Sequence, residues 1–171
     1  MTPKVFILDV DGVMTTGQFF YSAEGKVYKV FGADDADGLA LVRPHLEVRF
    51  MSGDKRGFAI TRKRIEEDMG YPLDLVSTVK RLDWIAERYP LDEVIYMGDG
   101  LLDATVVRAV GYGICPANGS PICQAAADFV TTRSGGDRAV AEACLHILER
   151  FYTPYDPAAE LQAKTFGLWT A

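Results

Sequence analysis

Asp9 and Asp11 are carboxylates one residue apart, set directly after the apolar run Val5-Phe6-Ile7-Leu8 and just before Gly12. Asp99 and Asp103 repeat the theme after a second apolar run, Val94-Ile95-Tyr96-Met97, in the stretch Gly98-Asp99-Gly100-Leu101-Leu102-Asp103. Carboxylates brought together repel, and a hard divalent cation such as Mg²⁺ neutralises them while keeping room for waters and phosphate oxygens. Asp9 and Asp99 suit that duty. With its charge screened, a carboxylate can attack phosphorus as a nucleophile, the part Asp9 takes in this reading. Asp11 can reach the leaving oxygen if the chain turns at Gly12; it would protonate that oxygen and later activate water. Asp103, one helical turn past Asp99, is either a ligand or a group that orients one. Phosphoryl transfer also needs donors around the equatorial oxygens. The Ser52 hydroxyl and the Gly53 N–H, at an expected helix start, form one such clamp, and Lys80, after Ser77-Thr78, is a candidate compensating cation.

These residues need a frame that brings distant strand ends together. Val5–Leu8 reads as a strand buried on both faces, the mark of a central parallel strand. Leu46–Met51 and Val94–Met97 read alike, and further short strands are expected over 111–115 and 128–131. Helical periodicity covers Phe58–Met69, Lys80–Tyr89, Leu102–Val110 and Arg138–Phe151. Strands alternating with helices at this spacing predict an α/β fold, a doubly wound Rossmann-like parallel sheet, whose ligands bind beyond the carboxyl ends of the strands. The aromatic runs around Ser22-Ala23-Glu24-Gly25 predict a β-hairpin flap over 18–31. The tail over 152–171, with Pro154, Pro157, Gly167 and Trp169, shows no period and is expected to be irregular, ordered at most by a partner chain.

At 171 residues the chain suits a single domain, 1–171. A net charge of −6 and a pI near 4.9 argue against nucleic-acid binding. Arg62-Lys63-Arg64 is followed at once by Glu66-Glu67-Asp68, a solvated helix face. Three cysteines without CxxC spacing suggest neither a disulfide framework nor a zinc site. No secretion signal or membrane span is evident, so the expected location is the cytoplasm. His45 and His146 stand outside every motif, and Cys115 and Cys144 read as core.

Asp-Val-Asp-Gly-Val-Met-Thr after a buried strand resembles the first motif of the haloacid dehalogenase-like phosphatases. Ser52-Gly53, Lys80 and Gly98-Asp99 follow in the order of the remaining motifs. Within that superfamily the chain is most similar to the capless 3-deoxy-D-manno-octulosonate 8-phosphate (KDO 8-phosphate) phosphatases and the related phosphatases of nine-carbon keto-sugar acids. Phe31, Asp35 and Gly38 match the segment after the hairpin, and Gly135-Gly136 with Arg138-Ala139-Val140 and Glu142 match the last signature. The resemblance implies no cap domain, Mg²⁺ held by Asp9, Asp99 and the backbone carbonyl of Asp11, and Asp35 at the substrate rim. It further implies a phosphorylated small-molecule substrate and a homotetramer whose neighbouring chains cover each active site. Asp34, Asp54 and Gly100 depart from the pattern, which has Arg, Arg and Asp there.

Simpler readings exist for each residue. Asp-x-Asp-Gly also opens calcium loops and recurs at Asp35–Gly38, but the twelfth positions, Phe20 and Leu46, lack the required Glu. An Asp after a strand is ordinary turn chemistry, and Ser52 could simply cap a helix. The recurrence at a second strand end favours chemistry. The alternative of another class is a receiver-like or catalytically idle regulatory module. Receivers place their acceptor Asp after the third strand and paired acids after the first, an order that disfavours it.

Overall fold

A computed structural model describes residues 2–159. A six-stranded, all-parallel sheet runs in the order β5-β4-β1-β6-β7-β8, where β1 is Val5–Asp9, β4 Glu47–Ser52, β5 Leu73–Leu75, β6 Val94–Met97, β7 Tyr112–Cys115 and β8 Phe129–Val130. The pleat explains why β1 has no polar position before Asp9. Phe6 and Leu8 pack into one core with Leu39, Phe50, Val140 and Ile147, while Val5 and Ile7 join the opposite core with Ile85, Val106 and Cys123. A strand facing helices on both sides has to be apolar throughout.

The first core is covered by α1 (Asp35–Val42), α2 (Phe58–Arg62, continuing as π-helical turns over Lys63–Asp68) and α6 (Ala139–Phe151). The second is covered by α3 (Arg81–Ala86), α4 (Asp103–Ala109) and α5 (Pro121–Ala126). This is the expected doubly wound α/β fold, and among the described residues there is no cap domain. An antiparallel hairpin of β2 (Thr15–Ser22) and β3 (Gly25–Phe31) is inserted between β1 and α1. It begins earlier than 18, because Thr15 already pairs with Phe31.

Three elements lacked sequence signals strong enough to be expected. α1 contains Gly38 where a core helix would carry a side chain. A Cβ there would lie 2.7 Å from Ala141 Cα, so the glycine allows the α1–α6 backbones to touch. β5 and α5 are only 3 and 6 residues long, too short for periodicity to register. The expected helix from Lys80 begins as a single 3₁₀ turn over Thr78–Lys80, and the chain after Ser52 runs through a turn before α2, so Ser52 closes a strand and starts no helix. Of the tail, residues 152–159 are irregular, and 160–171 lie outside the described residues. No helix among the described residues is long and apolar enough to cross a membrane.

Candidate active site

The sheet's register aligns the acid-bearing ends. Asp9 is level with Met51, and Leu8 with Met97, so Ser52 and Gly98-Asp99 leave their strands beside Asp9. β1 is also where the chain switches sides, running to β4 on one flank and later to β6 on the other, and a crevice opens at such a switch point.

The loop after β1 is braced from within. The Val10 carbonyl accepts from the N–H groups of Met14 and Thr15, and Thr15 Oγ1 accepts from the N–H groups of Gly12 and Gly17, each at 3.2 Å. Gly12 has φ +94°, and a side chain there would collide with the Asp99 carboxylate, so glycine brings Asp99 against the backbone beside Asp11.

Asp9, Asp99 and Asp103 offer oxygens within 4.8 Å of one another, a set that could hold a metal ion. Asp103 is the most committed of the three. Its Oδ1 accepts from Arg81 Nη1 and from the Tyr96 hydroxyl, both at 2.6 Å, and its Oδ2 accepts from the Gly100 N–H at 3.0 Å. Asp9 Oδ1 accepts from the Val10 N–H at 2.7 Å and from Arg81 Nη2 at 2.8 Å, leaving Oδ2 outside that network. Burial pushes the Asp9 carboxyl up to about 6; Arg81 opposes the rise and Asp103 adds to it. Burial, then repulsion from Asp9 and Asp103, pushes Asp99 up to about 7. Three carboxylates sharing one buried guanidinium are short of positive charge, and a divalent cation fits that deficit.

A pH dependence follows. Both acids hold their protons in the folded chain at pH values where the unfolded chain has lost them. The metal-free protein therefore loses their contribution to stability as pH rises from about 4 through about 7. A cation requires the ionised forms, so its stabilisation should grow over the same range. Thermal melts at pH 5, 6, 7 and 8, with EDTA or with MgCl₂, are expected to show a gap that widens with pH. A gap independent of pH would dissociate these carboxylates from metal binding.

Lys80 does not reach this centre. Its side chain is 71% exposed and pairs with Asp83 at 3.3 Å. Arg81 occupies the place expected of it, with its side chain only 2% exposed between Asp9 and Asp103. The 3₁₀ turn ends at Lys80 and α3 begins at Arg81, and that change of winding turns the second cation inward. The only signal in the sequence was that two basic residues are adjacent.

Asp35 is likewise not at a rim. It is wholly buried, accepts from the Ala141 N–H at 3.0 Å and so fastens α1 to α6; burial pushes it up to about 6. Asp34 is exposed, and its carboxylate lies 2.5 Å from Arg138 Nε. Ser52 does come to the cleft, with its hydroxyl 3.4 Å from Asp11 Oδ2 and accepting from the Asp54 N–H at 3.1 Å. His45 stacks on Tyr152 and His146 on Phe129, both as packing residues. Cys115, Cys123 and Cys144 are free and buried.

A family model of haloacid dehalogenase-like hydrolases matches residues 79–143. The chain is 30% identical over 146 residues to the 3-deoxy-D-manno-octulosonate 8-phosphate phosphatase KdsC of Salmonella typhi, covering 82% of this chain and 77% of that protein. The chain belongs to the haloacid dehalogenase-like hydrolases. Among solved structures, the Moraxella catarrhalis KDO 8-phosphate phosphatase, bound to magnesium, phosphate and KDO, superposes with a TM-score of 0.73 at 31% identity, covering 86% of each chain. The cobalt-bound Haemophilus influenzae relative gives 0.76 at 29% identity, with 88% and 90% covered. This haloacid dehalogenase-like protein is therefore a phosphatase related to the KDO 8-phosphate phosphatases. Its site departs from the expected motif set where Arg81, in place of Lys80, is the buried cation.

Proposed function

We propose that this phosphatase hydrolyses a sugar phosphate monoester through an aspartyl-phosphate on Asp9, with KDO 8-phosphate or a nine-carbon keto-sugar acid phosphate as substrate. The observation that carries the mechanism is the placement of Asp9 and Asp11 at the end of the central strand, with Asp99 against the same loop. Asp9, Asp99 and the backbone carbonyl of Asp11 would hold Mg²⁺, which would supply charge neutralisation on the phosphoryl oxygens. Asp9 attacks phosphorus, and Arg81 holds its carboxylate in line through Oδ1. Asp11 gives its proton to the departing alkoxide and later takes one from the water that cleaves the acyl phosphate. The Ser52 hydroxyl and Gly53 N–H donate to the equatorial oxygens. Asp103, fully bonded, keeps Arg81 and the Gly100 loop in place.

The substrate class rests on the relatives, one of which binds KDO and phosphate. A homotetramer with sites at subunit interfaces is supported by the exposed hairpin aromatics Phe20, Tyr21 and Tyr28. Three free thiols fit a cytoplasmic protein.

The test is phosphate release, with Mg²⁺ or with EDTA, from a panel of primary-alkyl esters: KDO 8-phosphate, a nine-carbon keto-sugar acid 9-phosphate and hexose 6-phosphates. Mg²⁺-dependent turnover of one keto-acid phosphate, well above the hexose phosphates, is expected. Turnover of hexose phosphates alone would remove the keto-acid assignment. Silence across the panel would remove the catalytic reading and favour a regulatory module.

A further inference from the structure

Lys29 on β3 has a side chain that is 0% exposed. A buried ammonium is costly unless it is paired and hydrogen-bonded, and Lys29 is both. Its Nζ lies 2.7 Å from Asp11 Oδ1 and donates to Asp11 Oδ2 at 3.0 Å. The same atom lies 2.8 Å from Asp54 Oδ2 and donates to Thr61 Oγ1 at 2.8 Å. One hairpin side chain thus ties together the loop after β1, the loop after β4 and helix α2. Gly57 admits it, since a Cβ there would lie 2.8 Å from both Lys29 Cε and Lys26 Cδ.

Lys26 shares Asp54, at 2.5 Å, and its ammonium sits 3.3 Å from the centre of the Phe19 ring. Burial would raise the Asp54 carboxyl, but hydrogen bonds from the two lysines outweigh that and hold it down at about 2. Two lysines and two carboxylates cancel, so Lys29 is not a spare cation awaiting a substrate anion. Its charge is committed to Asp11 and Asp54. Apart from Lys29, the Asp11 carboxylate has, among the described residues, only the long 3.4 Å contact from Ser52 to hold it.

We infer that Lys29 is a positioning residue for Asp11. From the hairpin it holds the carboxylate where its proton passes to the leaving oxygen, so that seating of the flap and the acid–base step are coupled. The inference rests on the acid–base role proposed for Asp11. In the step concerned, the bond from Asp9 to phosphorus forms and the phosphorus–alkoxide bond breaks. Asp11 enters this step protonated; its proton goes to the alkoxide, and the carboxylate so formed takes up the ion pair with Lys29 that the structure shows.

The test compares leaving groups. An alkyl alkoxide needs the proton, whereas p-nitrophenolate departs without one. kcat/KM covers only the steps up to release of the first alcohol, and so excludes hydrolysis of the aspartyl-phosphate. For Lys29→Met, kcat/KM on the best primary-alkyl phosphate of the panel should fall by about 10²-fold, with a loss many-fold smaller on p-nitrophenyl phosphate. Thr61→Val keeps the ammonium and removes one anchor; it should show the same selectivity on a smaller scale, and it serves if Lys29→Met does not fold. Asp11→Asn should show the largest selective loss. Equal losses on both esters in a folded Lys29→Met or Thr61→Val would overturn the inference and reduce Lys29 to a strut. Equal losses in Asp11→Asn would instead overturn the acid–base reading of Asp11, and the inference with it.

Discussion

Asp9→Asn is expected to lower kcat by on the order of 10⁴–10⁶-fold, the scale on which removing a covalent nucleophile acts. The fold should survive. Burial already disfavours the charged form of Asp9, and the carboxamide has nearly the same shape. Arg81 keeps its pairing with Asp103 and its bond to Tyr96, so the guanidinium is not orphaned. In the absence of metal the melting temperature should therefore be unchanged or higher, while the increment from Mg²⁺ shrinks. Brief exposure to ³²P-labelled substrate followed by acid quench should label the parent protein and not the variant. A folded Asp9→Asn protein that still turns over, or still becomes labelled, would falsify the assignment.

Arg81→Met is the second large effect, and it acts on stability as well as rate. The side chain is fully buried, and its removal leaves Asp9 and Asp103 facing each other without a cation. Breaking a buried pair from one side costs roughly 3–5 kcal/mol. For a chain of this length each kcal/mol shifts the melting temperature by about 2–4 °C, so a drop of about 6–20 °C is expected in EDTA. Mg²⁺ should recover part of it by supplying the missing charge. kcat should fall about 10²-fold or more through loss of the preorganised charge at Asp9. Arg81→Lys keeps the charge but cannot bond Asp9, Asp103 and Tyr96 together with one planar fork, and it should fall between the two. Lys80→Ala, at an exposed position, should change neither melting temperature nor kcat. If Lys80→Ala were the damaging change and Arg81→Met the silent one, the geometry described for α3 would be wrong.

Periodicity and punctuation carried much of the fold into the sequence. The uninterrupted apolar runs of β1 and β6 could only be buried strands, and acids directly after each marked the open ends of the sheet. α1 was obscured because Asp35 and Gly38 look like loop residues. In the fold, Asp35 bonds the α6 backbone and Gly38 lets two helices touch, and both reasons lie about a hundred residues away in the chain. The same holds for the departures at Asp34 and Asp54. As sequence they are two acids replacing two cations; in three dimensions Arg138 answers one, and Lys26 with Lys29 answers the other.

The sequence by itself determined the parallel α/β frame, the hairpin, and the convergence of Asp9, Asp11, Ser52 and Asp99, because each follows from local pattern plus the rule that parallel strands end on one side. Only the tertiary structure decided that Arg81 and not Lys80 is the buried cation, that Asp35 is a fastener and not a rim, and that Lys29 reaches Asp11. Those outcomes depend on how a helix is wound at its first turn and on which side chains a folded hairpin lays over the cleft. Ion pairing between groups far apart in the chain leaves no periodic trace along it.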